Sequence, residues 1–339
     1  MNQRTWGRRI GSYSWMAIVV WAVVLMMGLQ TAGAAELQQI RFTSTAPTGG
    51  EWDIYPAIDK GFFAKEGLAP EMIYMMQPPD PIRLVVAGSA PFGSGGVHYS
   101  LQAYERGGKI RVITGRLYAP IYDVVARPEI KSLKDLKGKK IAIAALNSII
   151  TNLLQEGLEH NGLKRDDYQL LVVGGTSPRY AAMKSGGVAA TMLAPPVNFK
   201  ANDEGYPTLV KYSDMIKNLM YIGSFINTDY AKSSPDVVVR FVKATIQAQR
   251  WLNNPANKEE AIKSLMKHVP NTSEKEARRA YEYSIVQSKG YRGEGAIDPE
   301  GMKTAVDILA KYGSLKEPKP WQEYCDVSFY EKARKELGF

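Results

Sequence analysis

The chain has 339 residues, 45% hydrophobic and 23% charged, with a formal net charge of +9. That is ordinary globular composition with ample material for a core, and the length predicts two domains. The single cysteine, Cys325, excludes an internal disulfide and a Cys-rich metal centre, and His98, His160 and His268 are too far apart to form a ligand-spaced pair; neither a metal nor a cofactor is expected.

The first residues read as a leader. Arg4, Arg8 and Arg9 form a positive segment, residues 14–29 are almost uninterruptedly apolar, and Ala32-Gly33-Ala34 is a small-residue cleavage motif. This pattern predicts a secretory signal peptide over residues 1–34, cleaved after Ala34; the apolar run is short for a membrane span of ~20 residues. Removing the three leader arginines from +9 leaves +6. Spread along the chain, that excess fits solubility and not a nucleic-acid stripe.

Residues 39–45 read as an alternating strand ending in the loop Ala46-Pro47-Thr48-Gly49-Gly50. A helix over 51–63 follows, with Trp52, Tyr55, Ile58 and Phe62 on one face, and Gly67 suits the position just past the end of the helical segment. A strand over 71–76 and a helix over 78–86 come next. The run Ala90-Pro91-Phe92-Gly93-Ser94-Gly95-Gly96 predicts a very short strand, a Gly-rich turn and then a helix from Val97. Its glycines permit close backbone approach, to a ligand or only to a neighbouring element. The spacing is that of neither a dinucleotide fingerprint nor a phosphate loop.

Strands are expected over 109–114 and 121–126, with Arg116, Tyr118 and Pro120 between them. The stretch 132–158 is the most informative. A basic surface segment leads into the buried strand 141–144, a short loop holds Asn147 and Ser148, and a helix runs from Ile149 to His160. Ser148 is the expected N-cap. Such a helix start faces the carboxyl edge of its strand, where ligands bind in open α/β sheets and where anionic groups are favoured. The unit then repeats. Strand 168–173 leads to a helix capped by Ser177 with Pro178 first; strand 188–193 leads to a helix opened by Pro195-Pro196; strand 219–227 follows. From Ser234 onward the chain is helical, with a capping box at Ser273 and Glu276 and a start at Asp298-Pro299. Strands alternating with helices mean an α/β protein with largely parallel sheets.

Four motifs in series add a resemblance. Gly61-Phe62-Phe63-Ala64-Lys65-Glu66-Gly67-Leu68, Val86-Ala87-Gly88-Ser89-Ala90-Pro91-Phe92-Gly93, residues 132–140 and residues 182–190 followed by Pro195-Pro196 resemble the hallmark segments of periplasmic solute-binding proteins of the nitrate/sulfonate/taurine and thiamine-precursor (NMT1/THI5-like) type. The sequence departs from that pattern at Pro91 and Ala189, where the family carries aspartates, which argues against copying a known ligand.

The resemblance implies a periplasmic-binding-protein-like type II fold, two doubly wound α/β lobes with a helical C-terminal tail. Lobe one would take residues 36–119 and 225–339, lobe two 120–224, with crossovers over 118–124 and 220–224. It implies a periplasmic chain, a monomer, that clamps a small organic molecule between the lobes and hands it to the membrane permease of an ABC importer. Candidate ligand contacts are then Trp52, Ser94, Gly95, Gly96, Val97, Arg116, Tyr118, Asn147, Ser148, Ile149, Thr176 and Pro195. The Ser94–Gly96 run and Asn147-Ser148 would donate hydrogen bonds, Arg116 would meet an anionic group, and Trp52 and Tyr118 would stack on a flat body. Arg116 could equally form a structural ion pair, and Trp52 could equally be core. An organic acid, with or without an aromatic body, is the leading ligand class and a thiamine-precursor pyrimidine its rival. A desulfinase-like hydrolase on the same fold is the alternative of a different class; it would need a nucleophile and base in the cleft, and His98 is the histidine nearest a predicted cleft loop. The yeast-type pyrimidine synthases of this fold use a Cys-rich motif that a chain with one cysteine does not have.

Overall fold

The computed structural model describes residues 36–75, 77, 79–216, 218–292 and 294–339. The expected leader, residues 1–34, lies outside the described residues. In chain order the strands are β1 (Gln38–Ser44), β2 (Leu68–Tyr74), β3 (Phe92–Gly96), β4 (Ile110–Leu117), β5 (Asp123–Ala126), β6 (Lys140–Ile143), β7 (Gln169–Val172), β8 (Ala190–Leu193), β9 (Thr208–Lys211) and β10 (Ile222–Asn227).

They form two five-stranded sheets on one plan. The first has the order β2-β1-β3-β10-β4 and the second β7-β6-β8-β5-β9. In the first, β1 runs parallel to β3, and β10 is antiparallel to both β3 and β4. In the second, β6 runs parallel to β7 and β8, and β5 is antiparallel to β8 and β9. The antiparallel member of each sheet is the strand that the chain enters on coming from the other sheet: β5 follows residues 118–122, and β10 follows residues 212–221. Among the described residues, no helix is long and apolar enough to cross a membrane.

Local chemistry explains where elements stop. The single helix expected over 51–63 is broken into Ile54–Asp59 and Phe62–Lys65, because Gly61 turns left-handed at φ +69° between them. Gly67 takes φ +70° and returns its N–H to the Ala64 carbonyl, closing the segment as expected. The run expected to be a Gly-rich turn is itself the central strand β3. Its glycines mark close approach: a Cβ on Gly93 would lie 2.7 Å from the Val85 side chain and 2.8 Å from that of Thr43, and a Cβ on Gly96 would run into the His98 ring. Strand β9 and the short helix Tyr212–Met215 were not foreseen; β9 is a four-residue edge strand, only half-buried, too short to show alternation.

The long helix Pro235–Asn253 anchors the first sheet. Phe241, fully buried, stacks on Phe92 with centroids 4.3 Å apart and meets Phe42 and Phe63 at 5.3 and 5.4 Å. Aromatic pairs of this kind add stability beyond the area they bury. Phe241→Ala is therefore expected to cost about 3–5 kcal/mol, measured as a lowered midpoint in urea unfolding.

Candidate functional site

The parallel strands aim their carboxyl ends at one place. The residues just past β1 (Thr45, Ala46, Thr48), the end of β3 (Gly95, Gly96), and the residues past β6 (Ala144, Ser148), β7 (Gly175, Thr176) and β8 (Ala194) line a single cleft of about 80 Å³ between the two sheets. Glu51, Tyr99, Tyr122, Thr151, Arg179 and Tyr221 also stand on its walls, together with the apolar Leu117, Ile121, Ile150, Met192 and Ile222. The helix Ile149–His160 begins where expected, but Ser148 makes no side-chain cap bond. Its hydroxyl faces the Tyr99 phenol across the cleft instead. A hydrogen bond links the two sheets from Gln102 Nε2 to the Asn147 carbonyl at 2.8 Å.

Two buried arginines dominate the electrostatics. Arg116, on β4, is fully buried and paired twice. Its Nη1 donates to Glu51 Oε2 at 2.7 Å, its Nε donates to Asp53 Oδ2 at 3.0 Å, and its Nη2 pairs with Asp53 Oδ1. Burial alone would lower its pKa, but Asp53 and Glu51 raise it above the ordinary value. Ser44 and Ser94 each donate to Glu51 Oε1, at 2.7 and 2.9 Å, and Gln249 Nε2 donates to Asp53 Oδ2 at 2.9 Å.

Arg179 is the opposite case. It is 2% exposed, lines the cleft, and has no carboxylate within ion-pair distance among the described residues. It is held by the backbone: Nε and Nη2 donate to the Met192 carbonyl at 3.2 and 2.7 Å, and Nη1 to the Gly174 carbonyl. Three of its five N–H donors are thus spent on carbonyls. Burial pushes its pKa below the ordinary value, with Tyr122, Tyr221 and Tyr99 partly opposing that. Desolvating a cation that lacks a counter-charge is costly, and an anion entering the cleft would offset that cost.

Of the residues expected to touch ligand, the structure brings Gly95, Gly96, Ser148 and Thr176 together on the cleft. Pro195 lines an adjoining groove. The others lie elsewhere for identifiable reasons. Trp52 is core: it is wholly buried, donates Nε1–H to the Ala261 carbonyl at 2.9 Å and packs edge-on against Tyr281. Arg116 is held by its carboxylates beneath the floor, and Ser94 lies there too, between Glu51 and Arg116. Tyr118 turns its hydroxyl to the Ala296 carbonyl at 2.5 Å. Val97 spends its N–H on the Tyr221 carbonyl at 2.9 Å, Ile149 is core, and the Asn147 side chain is exposed. Sequence reasoning missed Arg179 and the tyrosine trio. A signal was present: Arg179 stands in the first turn of the helix Thr176–Lys184, where the helix dipole disfavours a cation.

His98 sits one layer behind the wall. It is 1% exposed, its ring lies against Tyr99 and Tyr221 at 4.0 and 6.0 Å, and neither ring nitrogen has a hydrogen-bond partner. Burial pushes its pKa down to about 3.

Comparison with known proteins agrees with this geometry. The family model described as NMT1/THI5 like matches residues 52–258, more than half of the chain, and the chain belongs to that family. A Brucella abortus protein carrying only the provisional name of a binding protein is 23% identical over 278 residues, covering 81% of this chain and 86% of that one. The formylaminopyrimidine-binding protein of Halalkalibacterium halodurans is 22% identical over 257 residues, covering 72% of this chain and 76% of its own length. Among solved structures, a Bordetella bronchiseptica RB50 protein superposes with a TM-score of 0.77 at 22% identity, covering 90% of this chain and 99% of that one. The alkanesulfonate-binding protein SsuA of Xanthomonas axonopodis pv. citri, bound to MOPS, gives 0.71 at 17%, covering 87% and 100%. The desulfurization enzyme DSZB gives 0.69 at 14%, covering 88% and 99%. The fold is therefore the periplasmic-binding-protein-like one, which also carries an enzyme.

Two outcomes follow from the buried groups. Arg116→Met leaves Glu51 and Asp53 buried without their cation, so a loss of about 3–5 kcal/mol is expected in urea unfolding. His98 stays neutral in the folded chain while the unfolded chain takes up its proton below about pH 6.5. Stability should therefore fall as pH drops from about 6.5 toward 3, with His98 contributing up to about 1.4 kcal/mol per pH unit. His98→Leu should show a shallower decline than the parent chain when both are unfolded at pH 4.5 and pH 7.

Proposed function

We propose that this chain is a periplasmic solute-binding protein that captures a small organic anion in the cleft and delivers it to the permease of an ABC importer. Arg179 carries the reading: a cation almost wholly buried, facing the cleft, with no carboxylate partner among the described residues. Its bonds to the Met192 and Gly174 carbonyls hold the guanidinium before the ligand arrives, so little ordering cost remains on binding. The hydroxyls of Ser148 and Thr176 stand ready to complete the shell of a sulfonate or carboxylate. Tyr99, Tyr122 and Tyr221 offer flat apolar faces to the body of the molecule.

In this reading the lobes, 36–119 with 225–339 and 120–224, close on the solute. The Gln102–Asn147 hydrogen bond is a contact of the closed state, and a ligand stabilises closure by adding to it. The reading takes the chain as a monomer and not as an enzyme. Among the described residues the cleft wall carries hydroxyls but neither a histidine nor a cysteine. Cys325 lies instead beside Val112 on β4, its thiol pushed up to about 12 by burial. The similarity to named sulfonate-binding and pyrimidine-binding proteins makes those two classes the first to test.

The test is native mass spectrometry of the mature chain, followed by calorimetric titration with sulfonates, carboxylates and pyrimidines. One retained, unchanged anion is expected, and at 100 times its Kd it should add about 2.7 kcal/mol to stability. Arg179→Met should weaken that anion by about 30-fold or more, the cost of removing one partner of a buried charge pair. An unaltered affinity in Arg179→Met would refute the anion reading, and consumption of a compound by catalytic amounts of protein would refute the transport reading.

A further inference from the structure

The helix Glu274–Tyr281 runs on into a π-helical turn, Glu282–Gln287, an uncommon geometry that recurs at functional positions. Its faces have different tasks. Tyr281 packs edge-on against Trp52 at 6.0 Å and Arg278 pairs with Glu259, which fixes the helix to the elements around the first sheet. Lys275, Arg279 and Tyr283 follow one another at four-residue spacing and form a stripe. That stripe reaches the elements around the second sheet. Lys275 Nζ donates to Asp203 Oδ2 at 2.8 Å, and Arg279 Nη1 to Asp203 Oδ1 at 2.7 Å. The Arg279 guanidinium lies over the Phe199 ring at 4.5 Å, and Phe199 meets the Tyr283 ring edge-on at 5.8 Å. The Tyr283 hydroxyl donates to Asp123 Oδ1 at 3.1 Å and lies 3.0 Å from Ser213 Oγ. Asp123 opens β5, and Ser213 lies in the connection to β10. Tyr283 is therefore bonded to both segments by which the chain passes between the sheets.

We propose that this stripe is a clasp that holds the two lobes closed before any solute arrives. The inference rests on the lobe-closure reading above and adds to it residues outside the cleft. None of Lys275, Arg279, Tyr283, Phe199, Asp203 and Asp123 lines the cleft, so the clasp forms whether or not the cleft is filled. The helix Val197–Asp203 starts three residues past Ala194 of the cleft wall, and opening the cleft draws Phe199 and Asp203 away from the stripe. The buried bond matters most. Arg279 and Asp203 are each 36% exposed, and ion pairs so placed are weak. Tyr283 and Asp123 are withdrawn from water, where a hydrogen bond to a carboxylate is stronger. A contact common to the empty and the loaded closed forms shifts the open–closed balance without favouring one solute over another. The clasp sets how often the cleft opens, and the cleft side chains set which solute is kept.

The experiment is the rate at which a maleimide labels a thiol placed in the cleft of the mature chain, with no solute present. Ser148→Cys supplies the thiol at a position 3% exposed, in a chain that also carries Cys325→Ser. With the clasp intact, labelling is expected to be slow compared with the unfolded chain. Tyr283→Phe keeps the ring against Phe199 and removes only the hydroxyl; it is expected to speed labelling about tenfold or more. Asp203→Lys sets a third cation beside Lys275 and Arg279 and is expected to speed it as well. Phe241→Ala weakens the core without touching the clasp and should leave the rate unchanged, with thermal melting confirming that every variant is folded. Labelling of the clasp-intact chain at the unfolded rate overturns the inference, because the lobes then stand open without solute. An unchanged rate in both clasp variants overturns it, and so does an equal acceleration in Phe241→Ala, which marks general loosening. Failure of every solute to bind, with the labelling pattern as expected, overturns the solute reading and leaves the clasp standing.

Discussion

The arrangement depends first on one buried cation shared by two carboxylates. Arg116 leaves β4 and reaches the segment that follows β1, where Glu51 and Asp53 receive it. Ser44 and Ser94 tie Glu51 to the ends of β1 and β3, and Gln249 ties Asp53 to the long C-terminal helix. The loop is thereby fastened to three strands of the first sheet, β1, β3 and β4, and to the helix packed against it. That loop carries Thr48 and Glu51 into the cleft wall. Buried ion pairs of this kind contribute little net stability over an apolar replacement, but breaking one is expensive. Here the cluster's role is positional: it sets one wall of the site.

The second wall is set by main-chain geometry. Each parallel strand of the second sheet ends in a loop and then a helix, and the loops after β6, β7 and β8 converge on the cleft. Arg179 sits in the first turn after β7 and is clamped by carbonyls from Gly174 and Met192. One sheet therefore brings an arginine paired with two carboxylates and the other, among the described residues, a cation with no carboxylate partner. Between them, three tyrosines provide apolar faces with polar ends.

Much of the fold was legible because its signals are local. The helix Ile149–His160 has the bounds that its apolar spacing predicts, the capping box at Ser273 and Glu276 forms with both of its hydrogen bonds, and Asp298 caps the helix that follows it. The errors are also local in origin. Glycine's freedom was read at the run Phe92–Gly96 as a turn, whereas the same lack of a side chain lets a central strand lie against Val85, Thr43 and His98. Ser148 has the chemistry of a cap, but its hydroxyl makes no cap bond and stands on the cleft wall. Strand β9 is too short for alternation to emerge above the surrounding loop.

By itself the sequence determined the alternation of strand and helix, the positions of most helix ends and the set of loop ends facing a common edge, because each depends on residues a few positions apart. It could not determine which of two arginines faces the cleft. Arg116 and Arg179 both follow or end a strand near that edge, and both are fully withdrawn from water. Arg116 finds its carboxylates 65 and 63 positions away, at Glu51 and Asp53, and is neutralised beneath the floor. Arg179 is packed by the fold among carbonyls and tyrosines, where no carboxylate reaches it among the described residues. Charge pairing over such separations is a property of the folded chain, because it depends on which strands become neighbours. Tertiary structure alone decided which cation was left facing the cleft.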